Sequence, residues 1–175
     1  MAEEIADRTI ANQVELSICR LDSLSTLPCV AVRLVSALSQ AQFLQSALVE
    51  TVESDPALTA KTFSLLHQHD LSFTDEKPSV RLALGKLPPE VIRNAFLSVK
   101  IFGGFDLDGA TDHNKVRARK QLMQHSLAVA CCAKNIAEIL LPQMDSQLAY
   151  LAGLLHDIGK LAIQDAMPKS FSRIV

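Results

Sequence analysis

The stretch LAGLLHDIGK, residues 151–160, begins with five residues without a polar side chain. His156 and Asp157 follow them, and Gly159 comes two residues after the aspartate. Its leucines follow the spacing of one face of an α-helix. Asp145 or Ser146 can cap the start of this helix, and Gly159 is expected to end it. The pair His156 and Asp157 is therefore predicted to lie at a buried helix end, where polar groups need partners.

A long helix is predicted before this segment, and Pro142 is expected to stop it. Its buried face is marked by Leu122, Val129, Ala133, Ile136 and Leu140. His125 lies on or beside that face. An imidazole facing a histidine and an aspartate at the end of a neighbouring helix is the donor set of a small divalent metal site.

Each of these features also has a purely structural interpretation. His125 alone is typical of a core or boundary histidine with a hydrogen-bond partner, and a histidine at a helix C-terminus can interact with the helix dipole. A second histidine–aspartate pair, His69 and Asp70, occurs in a polar loop beside His67. A flexible polar loop presents metal ligands poorly. A histidine–aspartate pair alone therefore does not predict a metal site, and only the surrounding sequence distinguishes the two pairs.

Helical periodicity continues through the rest of the chain. Helices are predicted near residues 5–21, 30–38, 43–52, 56–66, 79–84 and 90–99, with a polar loop at 68–78. Asp55 and Pro56 are a capping residue and a first-turn proline, and Gly85 is expected to end the short fifth helix. The polar stretch 106–114 is a candidate linker between helical halves at 1–105 and 115–175.

Composition agrees with an all-α protein, since aromatic residues make up only 5% while leucine, alanine and valine dominate. The 175 residues suffice for one domain, and 49% hydrophobic against 21% charged residues excludes bulk disorder. A net charge of −2 excludes bulk nucleic-acid binding, and no apolar run is long enough to cross a membrane. The start lacks secretory-signal character, so a cytoplasmic location is expected. Cysteines 19, 29, 131 and 132 are expected to be buried reduced thiols.

The run 154–160, preceded by His125 31 residues before His156, resembles the HD superfamily of metal-dependent phosphohydrolases and is most similar to the HDOD domain. Leu27 with Pro28, the run 54–61 and the run 92–94 are also similar to HDOD signatures. The similarity covers about residues 20–166. It implies an all-α, multi-helix bundle of the HD-domain type, used as a regulatory or output module in bacterial signal transduction.

The resemblance also implies a set of metal ligands. Superfamily enzymes bind divalent metals such as Fe, Mn, Zn or Mg through a histidine, a histidine–aspartate pair and a distant aspartate; the first three correspond to His125, His156 and Asp157. The fourth is not identified, because Asp165 would lie about 12 Å from Asp157 along a continuous helix. Lys160 is a candidate for phosphate contact, as in the related HD-GYP phosphodiesterases, or is simply a solvated lysine.

The resemblance implies a non-catalytic signalling module, whose partners are other signalling domains or proteins. One alternative is a phosphohydrolase acting on a cyclic dinucleotide or nucleotide. Another is a helical adaptor that retains the motif only for packing. Apolar residues at the end of the chain predict C-terminal truncation or homo-oligomer formation. The basic cluster Lys115, Arg117, Arg119 and Lys120 is interpreted as a solvated helix face or an anion-binding surface.

Overall fold

A computed structural model describes residues 24–39, 46–73, 77–102, 113–141, 143–167 and 171. They form α1 (Pro28–Leu38), α2 (Ser46–Glu53), α3 (Pro56–Gln68), α4 (Val80–Lys86), α5 (Pro89–Leu97), α6 (His113–Leu140), α7 (Ser146–Leu155) and α8 (Ile158–Ala166). The predicted all-α class is confirmed. The predicted first helix, Cys19 and most of the candidate linker lie outside the described residues. No helix in the described ranges is long and apolar enough to cross a membrane.

Local capping chemistry sets several helix starts. Asp55 accepts hydrogen bonds from the backbone N–H groups of Ala57 and Leu58, at 2.8 and 3.0 Å, and Pro56 occupies the first position of α3. Asp145 caps α7 in the same way, accepting from Gln147 N–H at 2.9 Å. Both starts were predicted from the sequence, because a capping aspartate acts within its own helix turn.

Two helix ends that were predicted at glycines are wrong. The helix that was expected to end at Gly159 ends at Leu155, and a turn at His156 and Asp157 leads directly into α8, which contains Gly159. Asp157 leaves helical geometry at φ −106° and ψ 16°, so the reversal occurs two residues earlier. Gly85 likewise lies within α4, which continues to Lys86.

The inward face of α6 is rotated from the predicted one. Its buried residues are Arg119, Met123, Ser126, Ala130 and Ala137. Ile136 and Leu140 are instead 53% and 69% exposed. Small residues face inward because α6 and α7 approach closely: a Cβ added to Gly153 would lie 2.8 Å from Ala130 Cα. The described cysteines, 29, 131 and 132, are free and exposed, so the expectation of buried thiols is also wrong.

Buried apolar side chains of α1 to α5 form the main core, which Met123, Leu151 and Leu161 extend into the C-terminal helices. The members from α1 to α5 include Val30, Leu34, Leu38, Leu48, Val52, Leu58, Leu66, Val80, Leu84, Ile92 and Phe96. Polar contacts also join the early and late parts of the chain. The Tyr150 hydroxyl donates to Glu53 O at 2.8 Å, and Arg119 donates to the backbone oxygen of Ser25.

Arg119 is fully buried, which corrects its assignment to a solvated basic face, although Lys115, Arg117 and Lys120 are exposed. Its guanidinium donates to Leu161 O at 3.3 Å and to Gln164 Oε1 at 3.1 Å, and it pairs with Asp165 at 3.4 Å. Burial lowers the pKa of Arg119, and Asp165 opposes that shift. The side chain therefore joins α6, α8 and the segment before α1.

Candidate metal centre

Three side chains predicted as metal ligands come together beside the turn between α7 and α8. His125 comes from the middle of α6, whereas His156 and Asp157 form the turn. His125 Nε2 lies 3.6 Å and His156 Nε2 lies 3.3 Å from the same oxygen, Asp157 Oδ2. One ligand atom from each residue lies within 4.8 Å of the other two. The three predicted ligands thus form one compact group.

The backbone of α7 orients the His156 ring. Its Nδ1 lies 2.8 Å from Gly153 O, the carbonyl of the preceding helix turn. A carbonyl oxygen only accepts hydrogen bonds, so Nδ1 carries the proton and donates it. In the neutral ring, Nε2 then carries the free lone pair and faces Asp157. Such a hydrogen bond to a backbone carbonyl is the usual support of a metal-binding histidine.

The carboxylate of Asp157 faces the cluster and does not cap its own helix. Asp157 is the residue before α8, yet its side chain makes no capping hydrogen bond. Its Oδ2 instead accepts a hydrogen bond from Lys160 Nζ at 2.7 Å. That hydrogen bond is the main cause that lowers the pKa of Asp157; partial burial opposes it, and the two histidines add to it. The Asp157 carboxylate is therefore ionised at neutral pH.

The cluster is open to solvent, which differs from the buried helix end expected from the sequence. The side chain of His125 is 54% exposed, that of His156 is 35% exposed and that of Asp157 is 14% exposed. The cause is the rotation of α6, whose inward face runs through Ser126 and Ala130 and leaves His125 at the side. An ion or a small ligand can therefore approach the cluster from the solvent, on the side of the two histidine rings.

Asp165 belongs to a different contact. Its carboxylate accepts hydrogen bonds from the backbone N–H and the hydroxyl of Ser25, at 2.8 to 2.9 Å, and pairs with Arg119. This agrees with its exclusion as the fourth ligand. The role of Arg119 was not predicted from the sequence. Its spacing of four, seven and eleven residues from Met123, Ser126 and Ala130 was the available signal, but the neighbouring basic residues obscured it.

The donor set fits a divalent transition metal. Zinc and similar ions bind imidazole nitrogen and carboxylate oxygen at about 2.0–2.2 Å, so two ligands of one ion lie up to about 4 Å apart. The 4.8 Å spread of the three atoms requires only a small rotation of an exposed histidine. Within the described residues, His67, His69 and Asp70 form no comparable group. Of the two histidine–aspartate pairs, only the one at 156 and 157 has a third ligand beside it.

The helical fold and the histidine–aspartate cluster at a helix turn define a protein of the HD-related class. The family model described as the HDOD domain matches residues 24–175. The chain therefore belongs to the HDOD domain family, as its motifs predicted. No curated protein and no solved structure matches the chain.

Proposed function

We propose that this protein is a bacterial, cytoplasmic signalling module of HDOD type that binds one divalent metal ion and does not hydrolyse phosphodiesters. The observation that carries the proposal is the convergence of His125 Nε2 and His156 Nε2 on Asp157 Oδ2. The ion would stabilise the contact between α6 and the turn at residues 156 and 157. A protein or signalling domain would then recognise this surface.

The number of ligands supports a regulatory role. Phosphodiester hydrolysis at two-metal sites requires ligands for both ions, which stabilise the attacking and leaving oxygens. Among the described residues, three side chains form the cluster, and the next carboxylate along α8, that of Asp165, is engaged by Arg119 and Ser25. Three ligands can hold one ion but not two, so the described residues lack the second ion site that a two-metal mechanism requires.

The roles of the three residues follow from their surroundings. Asp157 supplies the negative charge that offsets part of the charge of the ion. His156 supplies a lone pair whose direction is set by Gly153 O, and His125 supplies a second lone pair from an exposed, adjustable ring. An ion bound there would polarise a phosphate oxygen or lower the pKa of bound water.

A second candidate function is hydrolysis of a cyclic dinucleotide or another nucleotide. One observation favours it: the ammonium group of Lys160 lies beside the open cluster, at 2.7 Å from Asp157 Oδ2, where it could contact a phosphate. Lys160 is 54% exposed, so a ligand could reach it. The two candidates share the metal site and differ only in turnover.

The first test measures manganese binding by calorimetry in the wild type and in His125→Ala, Asp157→Asn and His69→Ala variants. We expect one ion per chain in the wild type, unchanged binding in His69→Ala and at least a tenfold loss in the other two. His69→Ala is the matched control because it alters the other histidine–aspartate pair. A wild type that binds no ion, or binding that survives both site substitutions, would contradict the proposal.

The second test incubates the manganese-loaded protein with cyclic di-GMP and with a chromogenic phosphodiester. We expect no turnover above that of a His125→Ala, Asp157→Ala double variant. Turnover that the double variant abolishes would overturn the non-catalytic role and establish the hydrolase instead.

A further inference from the structure

We propose that Lys160 is an internal competitor for the metal ion, so that a divalent cation binds Asp157 only by displacing the lysine ammonium group. The inference rests on the proposed metal site and adds a residue that sets its affinity. Lys160 Nζ bonds to Asp157 Oδ2, the oxygen that faces both histidine nitrogens. The ammonium group therefore pairs with the carboxylate oxygen that is best placed to bind an ion.

The position of Lys160 in α8 indicates why the contact forms. Lys160 is the third residue of α8, in the first helix turn, where the helix dipole is positive. A cation is unfavourable there by itself. Asp157, three residues earlier, supplies the negative charge that compensates for it. In the metal-free protein, Lys160 and Asp157 therefore stabilise each other.

A metal ion can displace the ammonium group because the lysine end of the ion pair is exposed to solvent. The lysine side chain is 54% exposed, and exposed ion pairs contribute little to stability. The ammonium group remains tethered near the site after displacement, where it repels a divalent ion. The loss of the ion pair and the repulsion by the ammonium group both weaken metal binding, together by roughly 3- to 10-fold. The site would therefore exchange its ion more readily than the ligand set alone predicts.

The test compares manganese dissociation constants at fixed pH and ionic strength in the wild type and in Lys160→Gln, Lys160→Arg and Lys134→Gln variants. Lys134→Gln is the matched control, because it removes the same charge from another exposed ion pair, Lys134 with Glu138 at 3.9 Å. We expect roughly 3- to 10-fold tighter binding in Lys160→Gln. Binding by Lys160→Arg should stay close to wild type, since the cation is retained, and Lys134→Gln should change binding less than twofold.

Equal or weaker binding by Lys160→Gln would overturn the competitor role while the metal site itself remained. Equal tightening in Lys134→Gln would assign the effect to net charge and would also overturn it. If neither the wild type nor Lys160→Gln binds manganese, the proposed metal site fails and this inference fails with it. Circular dichroism of each variant confirms that its helices are intact.

Discussion

Gly153 of α7 packs directly against the backbone of Ala130 in α6. A Cβ at Gly153 would lie 2.8 Å from Ala130 Cα and 3.0 Å from Ala130 N. These are fixed backbone atoms, so the helices would have to separate to admit a methyl group. The carbonyl of the same glycine accepts the hydrogen bond from His156. The same glycine thus sets both the helix spacing and the orientation of the His156 ring.

Gly153→Ala is therefore expected to lower the free energy of unfolding by about 1–3 kcal/mol, the usual cost of overpacking. Gly85→Ala is the matched control, since an added Cβ there meets nothing within 4 Å and the residue also lies in a helix. That control should be neutral or up to about 1 kcal/mol more stable. Urea unfolding measures both, and equal stability of the two variants would contradict the close packing.

Arg119→Met is expected to lower the free energy of unfolding by about 2–4 kcal/mol, because it removes the partner of Asp165 and the donors to Ser25 O and Leu161 O. Methionine keeps an apolar side chain of moderate size. Arg117→Met is the control: this residue is exposed, and its replacement should change stability by less than about 0.5 kcal/mol. Similar urea midpoints for the two variants would show that Arg119 does not join the helices.

Asp55 and Asp145 both cap helices but have different surroundings. We therefore expect their replacement to lower the free energy of unfolding by different amounts. Asp55→Ala removes the cap of α3 and leaves the buried Thr26 hydroxyl, which donates to Asp55, without its acceptor. We expect a loss of about 2–4 kcal/mol, from the cap and the buried hydroxyl together. Asp145→Ala removes only the cap of α7 and should cost about 1 kcal/mol. A larger loss for Asp145→Ala in thermal or urea unfolding would contradict this ranking.

The hydroxyl of Tyr150 is expected to lose its proton at a higher pH than the hydroxyl of an exposed tyrosine. Burial raises its pKa from 10.0 to about 12, with smaller contributions from Cys131 and Glu53. It is the only tyrosine in a chain without tryptophan, so tyrosinate absorbance reports this residue alone. Because the folded pKa lies above the unfolded value, its contribution to stability is complete below pH 10 and is lost as the pH rises toward 12. If the pH midpoint of the tyrosinate absorbance were the same in the native protein and in the urea-unfolded chain, the burial of Tyr150 would be contradicted.

Features controlled by local chemistry could be predicted from the sequence. The starts of α3 and α7 depend on an aspartate and on backbone groups two or three residues away, so Asp55 was identified as a cap and Asp145 was one of two candidates, the other being Ser146. The grouping of His125 with His156 and Asp157 was also predicted, because His156 and His125 have the spacing of the family that the sequence resembles. These predictions required no knowledge of how the helices pack.

Features set by distant contacts could not be predicted. Arg119 binds Ser25, which is 94 residues away in the chain, and nothing in the local sequence identifies that partner. The rotation of α6, which exposes His125 and Ile136, depends on its packing against Gly153. Gly159 resembles a helix terminator, but the reversal already occurs at Asp157. In each case tertiary packing overrode a local preference.

The location of the bound ion tests the central claim most directly. Crystals grown with manganese are expected to give one anomalous scattering peak between His125 Nε2, His156 Nε2 and Asp157 Oδ2, within about 2.0–2.4 Å of each. Crystals of Asp157→Asn should show that peak lost or strongly reduced. A wild-type protein saturated with manganese that shows no peak among these three atoms, or a peak only elsewhere, would contradict the account.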